Sequence, residues 1–416
     1  MATNPRVTGG DWREIDAVFK PVFDDLARSA RELARLDDPV DAECWISELR
    51  AMDHGMPLVG EPDAEVALGQ GRVRAAARKP SNASKALLLG LAALAPAAVA
   101  TKAKAADRRM DRARRPFWAD AIGEAAFTSG WRATDVFGDQ TIVVLGFAHD
   151  GWPEHSLLVL VDHNLGGVGL IKDAYVGPPP AEAAAAWAQP GQSEGEMLPP
   201  APITASGASA LLRAAVERTE MTLDPPVTDG YRDTLALLRA RLTALPAGEA
   251  EVPEWTDQRR DELMQSFAAS CRARGEELDD VDGFNASLLV DFRCDYGDGQ
   301  PLRWSPTLVE ICLLGWVPRK VTADREDLER LPGLLDAWVR FAAERTGLPA
   351  SALHETRQAI RQLRTHYVAA IDDEEMWGPA KQFAMRLQAD DIDITDQAAL
   401  DAWLAEYNAR LTDARR

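Results

Sequence analysis

Four apolar stretches joined by short turns constrain this chain more than any other feature. Residues 131–137 and 140–148 flank the dipeptide Gly138-Asp139, and residues 155–163 and 168–176 flank Asn164-Leu165-Gly166-Gly167. Asn and Gly tolerate the positive φ that tight connections require, so each pair reads as a hairpin. Connections this short allow only antiparallel neighbours, and the simplest arrangement is a four-strand meander. Its strands are apolar almost throughout, which predicts cover on both faces.

Helical spacing dominates the rest. Between Asp11 and Gly55 the residues Ile15, Val18, Phe19, Phe23, Leu26, Leu33 and Leu36 recur three and four apart, and Cys44, Trp45, Ile46 and Leu49 continue the pattern. Helical signals run over residues 66–78 and 84–115, where Pro116 marks a boundary. Residues 177–207 are rich in Pro, Ala and Gly and read as a tether, followed by helices over 208–220 and 229–245, the second capped by Thr228. A second tether spans 246–254. Beyond Trp255, Ser305-Pro306 opens an apolar helix that Pro318 is expected to stop, and helices over 331–346, 351–371 and 395–411 complete a bundle. The predicted fold is therefore α+β and predominantly α. It comprises a helical domain over residues 1–116, an α+β domain with the meander over 117–248, and a helical bundle over 249–416.

Charge is distributed unevenly. The 416 residues sum to −20, yet residues 72–115 hold twelve basic side chains against Asp107 and Asp111, a balance of +10 that leaves −30 for the remainder. An acidic average favours solubility and disfavours nucleic acid and anionic lipid as non-specific partners. The N-terminal residues carry no apolar core of a secretory signal. Residues 86–100 are the one membrane candidate, and they are too short and too interrupted by Gly90 and Pro96 to span a bilayer. Cys44, Cys271, Cys294 and Cys312 lie far apart without nearby His, which argues against zinc and against a disulfide framework and fits a reducing, cytoplasmic setting.

Motifs that carry chemistry are sparse. The densest polar cluster is Asp162-His163-Asn164 at a strand end, with Lys172-Asp173 on the next strand. A carboxylate beside an imidazole suits acid–base work or a metal. If His163 pairs with Val168, however, Asp173 falls opposite Leu158, about 13 Å along the strand from Asp162, so the two carboxylates cannot share an ion. Turn capping by Asp162 and Asn164, with Lys172 at a sheet edge, is the simpler reading. His155 and His163 share a strand face but are about 26 Å apart. His354-Glu355-Thr356-Arg357-Gln358 lacks the second histidine of a zinc-protease helix. The segment from Asp291 to Gly299 has Pro306 where a calcium loop needs a bidentate Glu. The acidic runs 372–375 and 390–393 read as solvated loops. No phosphate loop, dinucleotide fingerprint or nucleophile elbow is present. No cofactor and no metal are expected.

The basic segment is the remaining candidate. Lys102, Lys104, Arg108, Arg109, Arg112, Arg114 and Arg115 fall within fourteen residues, and continuous helix would align Lys104, Arg108, Arg112 and Arg115 along one side. Such a stripe can contact phosphates, or acids of this chain, or acids of a partner. The lone Phe117-Trp118 step offers little for base stacking.

The segments Val159-Leu160-Val161-Asp162-His163-Asn164 and Ile171-Lys172-Asp173-Ala174, with Leu302-Arg303-Trp304-Ser305-Pro306 and Trp316-Val317-Pro318-Arg319-Lys320, resemble a group of uncharacterised actinobacterial cytoplasmic proteins over most of the chain from Trp131 onward. The resemblance implies a cytoplasmic setting and no particular activity. From the residues, the first expectation is a non-enzymatic binding or regulatory protein that contacts a protein partner through helical surfaces. A metal-dependent or hydrolase-like enzyme centred on Asp162, His163 and Asp173 is the second, and a nucleic-acid-associated factor using residues 102–115 the third.

Overall fold

A computed structural model describes residues 19–53, 64–164, 169–187, 197–249, 254–390, 392, 397 and 400–405. The chain divides into two compact units, Met1–Glu251 and Val252–Arg416. Most of the helix expected over residues 395–411, together with Ile15, Val18, Gly55 and the 165–168 turn, lies outside the described residues.

The first unit opens with helices α1 (Lys20–Leu33), α2 (Pro39–Ala51), α3 (Ala64–Arg78), α4 (Asn82–Leu94) and α5 (Ala97–Asp107). The starts of α2 and α4 have a local cause. The Asp38 carboxylate accepts the Val40 amide at 2.7 Å ahead of Pro39, and the Ser81 hydroxyl accepts the Ser84 amide at 3.1 Å. Ala30, Leu33, Ile46, Leu88, Val99 and Trp118 form a buried core among these helices, with the Trp118 indole donating to the Leu33 carbonyl at 3.1 Å. Gly90 lets α4 press against α2, since a Cβ there would stand 2.4 Å from Ile46 Cδ1. The apolar run of residues 86–100 is thus packed helix, divided at Pro96 between α4 and α5. No helix among the described residues is long and apolar enough to cross a membrane.

The sheet has five antiparallel strands, β1 (Ala126–Thr134), β2 (Gln140–Ala148), β3 (His155–Asp162), β4 (Leu170–Gly177) and β5 (Ala201–Pro202), in the order β4-β3-β2-β1-β5. The expected meander is β1 to β4, and β5 adds a short edge against Trp131 and Arg132. The first hairpin differs from expectation. β1 begins and ends earlier, and the two-residue turn at Gly138-Asp139 is part of a five-residue loop, because the Asp135 carboxylate gathers the amides of Phe137 at 2.7 Å and Asp139 at 3.2 Å. The tether expected over residues 177–207 holds helix α6 (Pro180–Trp187) as well as β5, and Ala183 of that helix is buried against the sheet.

Helices α7 (Ala205–Met221) and α8 (Asp229–Ala244) cover one face of the sheet, as the apolar strands require. Val143, Leu145, Phe147, Leu157, Val159 and Ile171 meet Leu212 and Ala215 of α7 and Tyr231, Leu235 and Leu238 of α8. On the opposite face Val144 and Leu158 meet Ala183 of α6. Helix α8 also faces the other way. Leu237 enters the core of the N-terminal helices, and its amide donates to the Ser47 hydroxyl of α2 at 3.2 Å.

The second unit is helical among its described residues: α9 (Asp257–Ala273), α10 (Asp280–Asp295), α11 (Pro306–Glu310), a π-helical segment (Ile311–Trp316), α12 (Val317–Lys320), α13 (Arg325–Leu328), α14 (Leu331–Thr346), α15 (Ala350–Asp372), a 3₁₀ turn (Glu374–Met376) and α16 (Pro379–Ala389). Residues 306–320 form the central helix, with Leu308, Val309, Cys312, Leu313 and Val317 fully buried beside Phe267, Trp338 and Tyr367. Pro318 does not stop this helix. A proline ring clashes with the carbonyl four residues before it in α-geometry, and the wider π turn immediately upstream relieves that clash, so helix resumes to Lys320.

Candidate functional site

The polar residues of the β3–β4 hairpin take separate partners. Asp162 accepts the Asn164 amide at 2.9 Å, His163 Nε2 lies 2.9 Å from the Thr141 hydroxyl, and Asp173 accepts the Ala174 amide at 2.9 Å and the Thr228 hydroxyl. Lys172 is exposed, and its backbone carbonyl accepts the Thr228 amide at 3.0 Å. The pairing register differs from the one expected. Asp162 faces Leu170, and a bulge beside Val161 sets Asp173 opposite Leu160, with Tyr175 opposite Leu158. This shortens the span between Asp162 and Asp173. Still, no group of three or more His, Cys, Asp or Glu side chains that could hold a metal occurs among the described residues. Asp173 instead walls a cavity of 210 Å³ on the outer sheet face, with Ile142, Leu160, Tyr175 and Leu198.

A different polar constellation, not anticipated from sequence, lies inside the first unit. Glu43 of α2, Arg241 of α8, His149 after β2 and His155 at the start of β3 are all buried. Arg241 Nη1 donates to Glu43 Oε1 at 3.3 Å, and Nη2 donates to Glu43 Oε2. The same oxygen Oε1 accepts the Gly123 amide at 2.8 Å and lies 3.2 Å from His149 Nε2. Arg241 Nη2 sits 3.3 Å from His155 Nε2, and its guanidinium lies 5.2 Å from the centre of the Phe147 ring. The two imidazoles stack with centroids 5.6 Å apart.

Electrostatics fix the charge states of this cluster. Burial alone would raise the Glu43 carboxyl, but the His149 hydrogen bond and the Arg241 guanidinium outweigh it and hold Glu43 below the usual carboxylate range. Burial, reinforced by Arg241, pushes His155 down to about 4. His155 is therefore neutral near pH 7, with Nε2 accepting from Arg241. One signal in the sequence pointed here: Arg241 falls three residues after Leu238, on the apolar stripe of its helix.

The basic segment is built by the end of α5. The expected helix through Arg115 stops at Asp107, because Asp107 turns inward to pair with the buried Lys85 at 2.9 Å while Lys85 also donates to the Met110 carbonyl at 3.3 Å. Met110 is buried, and the Arg114 amide binds the Asn82 side chain at 2.9 Å, so residues 108–115 pass the start of α4 as non-helical chain. Lys104 and Arg108 lie at the helix end, where a cation complements the dipole, while Arg112 and Arg115 lie beyond it in non-helical chain and do not extend a stripe along one helix side.

The inward turn of Asp107 removes one of two acids from this surface. Lys102, Lys104, Arg108, Arg109, Arg112, Arg114 and Arg115 are all exposed. Arg115 pairs with Asp120 at 2.5 Å, and Lys102 contacts Gln70. Lys104, Arg108, Arg109, Arg112 and Arg114 meet no acid among the described residues. Next in the chain stands Phe117, 77% exposed, its ring edge-on to Trp152 with centroids 5.5 Å apart.

The fold and this surface define an α+β, mostly helical protein with a cationic, aromatic-flanked face on an acidic body. No family model, curated protein or solved structure matches the chain.

Proposed function

We propose that this protein is a binding protein that docks an acidic segment of a protein partner on the surface formed by residues 102–115. One observation carries the reading. In a chain with 66 acidic side chains, five neighbouring cations stay exposed, with Asp111 the one acid left on their stretch and no ion pair to it or to any other described acid. Clustered like charges repel, so such a surface gains most when an outside anion neutralises it. Phe117 and Trp152 add an apolar contact at its border, the kind of anchor that protein interfaces favour. The lone aromatic pair at the border offers little for base stacking, which favours a protein partner. Cys44, Cys271, Cys294 and Cys312 are all free thiols, which supports a reducing, cytoplasmic setting.

Fluorescence anisotropy with a labelled glutamate-rich peptide tests the reading. Binding that weakens with salt and falls about tenfold or more in the R108E/R109E/R112E variant is expected. Equal binding by the variant, or none by the wild type at low ionic strength, overturns it. Tighter binding to a DNA or RNA duplex than to the peptide transfers the surface to nucleic acid.

A further inference from the structure

The second unit contains a buried amine that faces a cavity. Lys381 lies in the first turn of α16, only 6% exposed, and among the described residues it meets no carboxylate. Its Nζ donates to the Pro318 carbonyl at 2.9 Å and stands 5.3 Å from the centre of the Trp377 ring. A cavity of 500 Å³ opens beside it, between the 322–328 segment, the end of α15 and α16. That volume suits a small organic molecule. Leu328, Ile371, Trp377 and Met385 give it one apolar side, and the rest of its wall is polar.

The charges around the cavity select among ligands. Asp324, Asp372 and Glu374 stand at the wall, against a single guanidinium, Arg325, which is already tied to Glu329 at 3.0 Å and to Asp372 at 3.1 Å. An anionic ligand is therefore repelled. A full positive charge on Lys381 is also discouraged, by burial and by the positive end of the α16 dipole. An amine whose charge is disfavoured by burial, beside apolar side chains and with carboxylates in reach of solvent, has the makings of a carbonyl-reactive lysine.

We propose that this cavity binds a small neutral aldehyde or ketone and holds it as an imine on Lys381. The amine lone pair attacks the carbonyl carbon, forming the C–N bond while the carbonyl electrons move to oxygen, which takes up a proton. Nitrogen then expels that oxygen as water, losing its protons in the process, and a C=N bond remains. Asp324 or Glu374 serves as the proton relay at the cavity mouth. The sequence needs no oxidant or reductant, and water reverses it.

Benzaldehyde with cyanoborohydride at neutral pH, followed by peptide mapping of the full chain, tests this directly. Lys381 is expected to be reductively alkylated several-fold faster than the exposed Lys104 and Lys172, with a rate that saturates as benzaldehyde is raised. K381R, which keeps a cation able to reach the Pro318 carbonyl, is expected to lose the saturable phase alone. Lys381 reacting no faster than Lys104 and Lys172, or with a rate that rises linearly, overturns the proposal. The wild-type map decides the matter even where the variant fails to fold.

Discussion

Arg241 and Glu43 are 198 positions apart in the chain and meet in the interior of the first unit, the guanidinium bridging both carboxylate oxygens. Neither group has water to fall back on, so each depends on the other. Removing one partner of such a pair typically costs about 3–5 kcal/mol, because the survivor keeps its desolvation penalty. R241M is expected to fall in that range, and E43L/R241M to cost clearly less than the two single changes added together. Urea unfolding of the full chain, followed through the transition of the first unit, checks both.

The same cluster sets a dependence on acid. His155 titrates at about 4 in the fold against 6.5 for an ordinary imidazole, so as pH falls below 6.5 the unfolded chain takes up a proton that the folded chain refuses. Stability present above that pH is lost progressively down to about 4, by up to about 3 kcal/mol. Glu43 acts in the same direction, since its carboxyl lies low in the fold and its contribution goes as pH falls through the folded value. Urea midpoints measured from pH 7 to pH 4 should therefore decline, and H155Q should decline less steeply.

Charge on the surface and charge beneath it should behave differently. Reversing Arg108, Arg109 and Arg112, all exposed, is expected to leave the unfolding midpoint within about 1 kcal/mol of wild type while abolishing retention by an acidic peptide column. K85M, by contrast, strands Asp107 and is expected to destabilise the helix end that shapes the whole surface, lowering retention and stability together. Parallel denaturation and retention measurements separate the two.

Contact between α2 and α4 depends on a missing side chain. G90A would place its Cβ 2.4 Å from Ile46 Cδ1 and is expected to cost about 1–3 kcal/mol. I46A alone opens a cavity and costs about 2–5 kcal/mol. The double variant should lose less than their sum, as a thermal melt series would show.

What the sequence disclosed and what it withheld follow from distance along the chain. Strands β2 and β3 were legible to within a residue, since continuous apolar runs have few other uses, and the ends of α14 were marked by its own Pro and Gly. Helix α5 was misjudged because its end is decided by Lys85, outside the window that periodicity surveys. Pro318 was misread because the π turn that accommodates it leaves no trace in residue types. Glu43 was invisible as a site, unlike Arg241 on its apolar stripe: nothing local says that a carboxylate in this helix will be buried. The register of Asp173 hinged on one bulged residue, which hydrophobic pattern does not encode.

Helix α8 contributes Leu238 to the sheet core, Leu237 to the helical core and Arg241 to the cluster between them. During synthesis α2 leaves the ribosome long before α8 exists, and until then Glu43 must stay hydrated. Gly123 and His149 reach only one of its oxygens, so the N-terminal helices close less readily around a carboxylate still lacking its guanidinium. Nascent chains stalled before residue 229 should accordingly remain open to protease, and those released beyond residue 245 should resist it, so that this unit matures in a single late step rather than piece by piece.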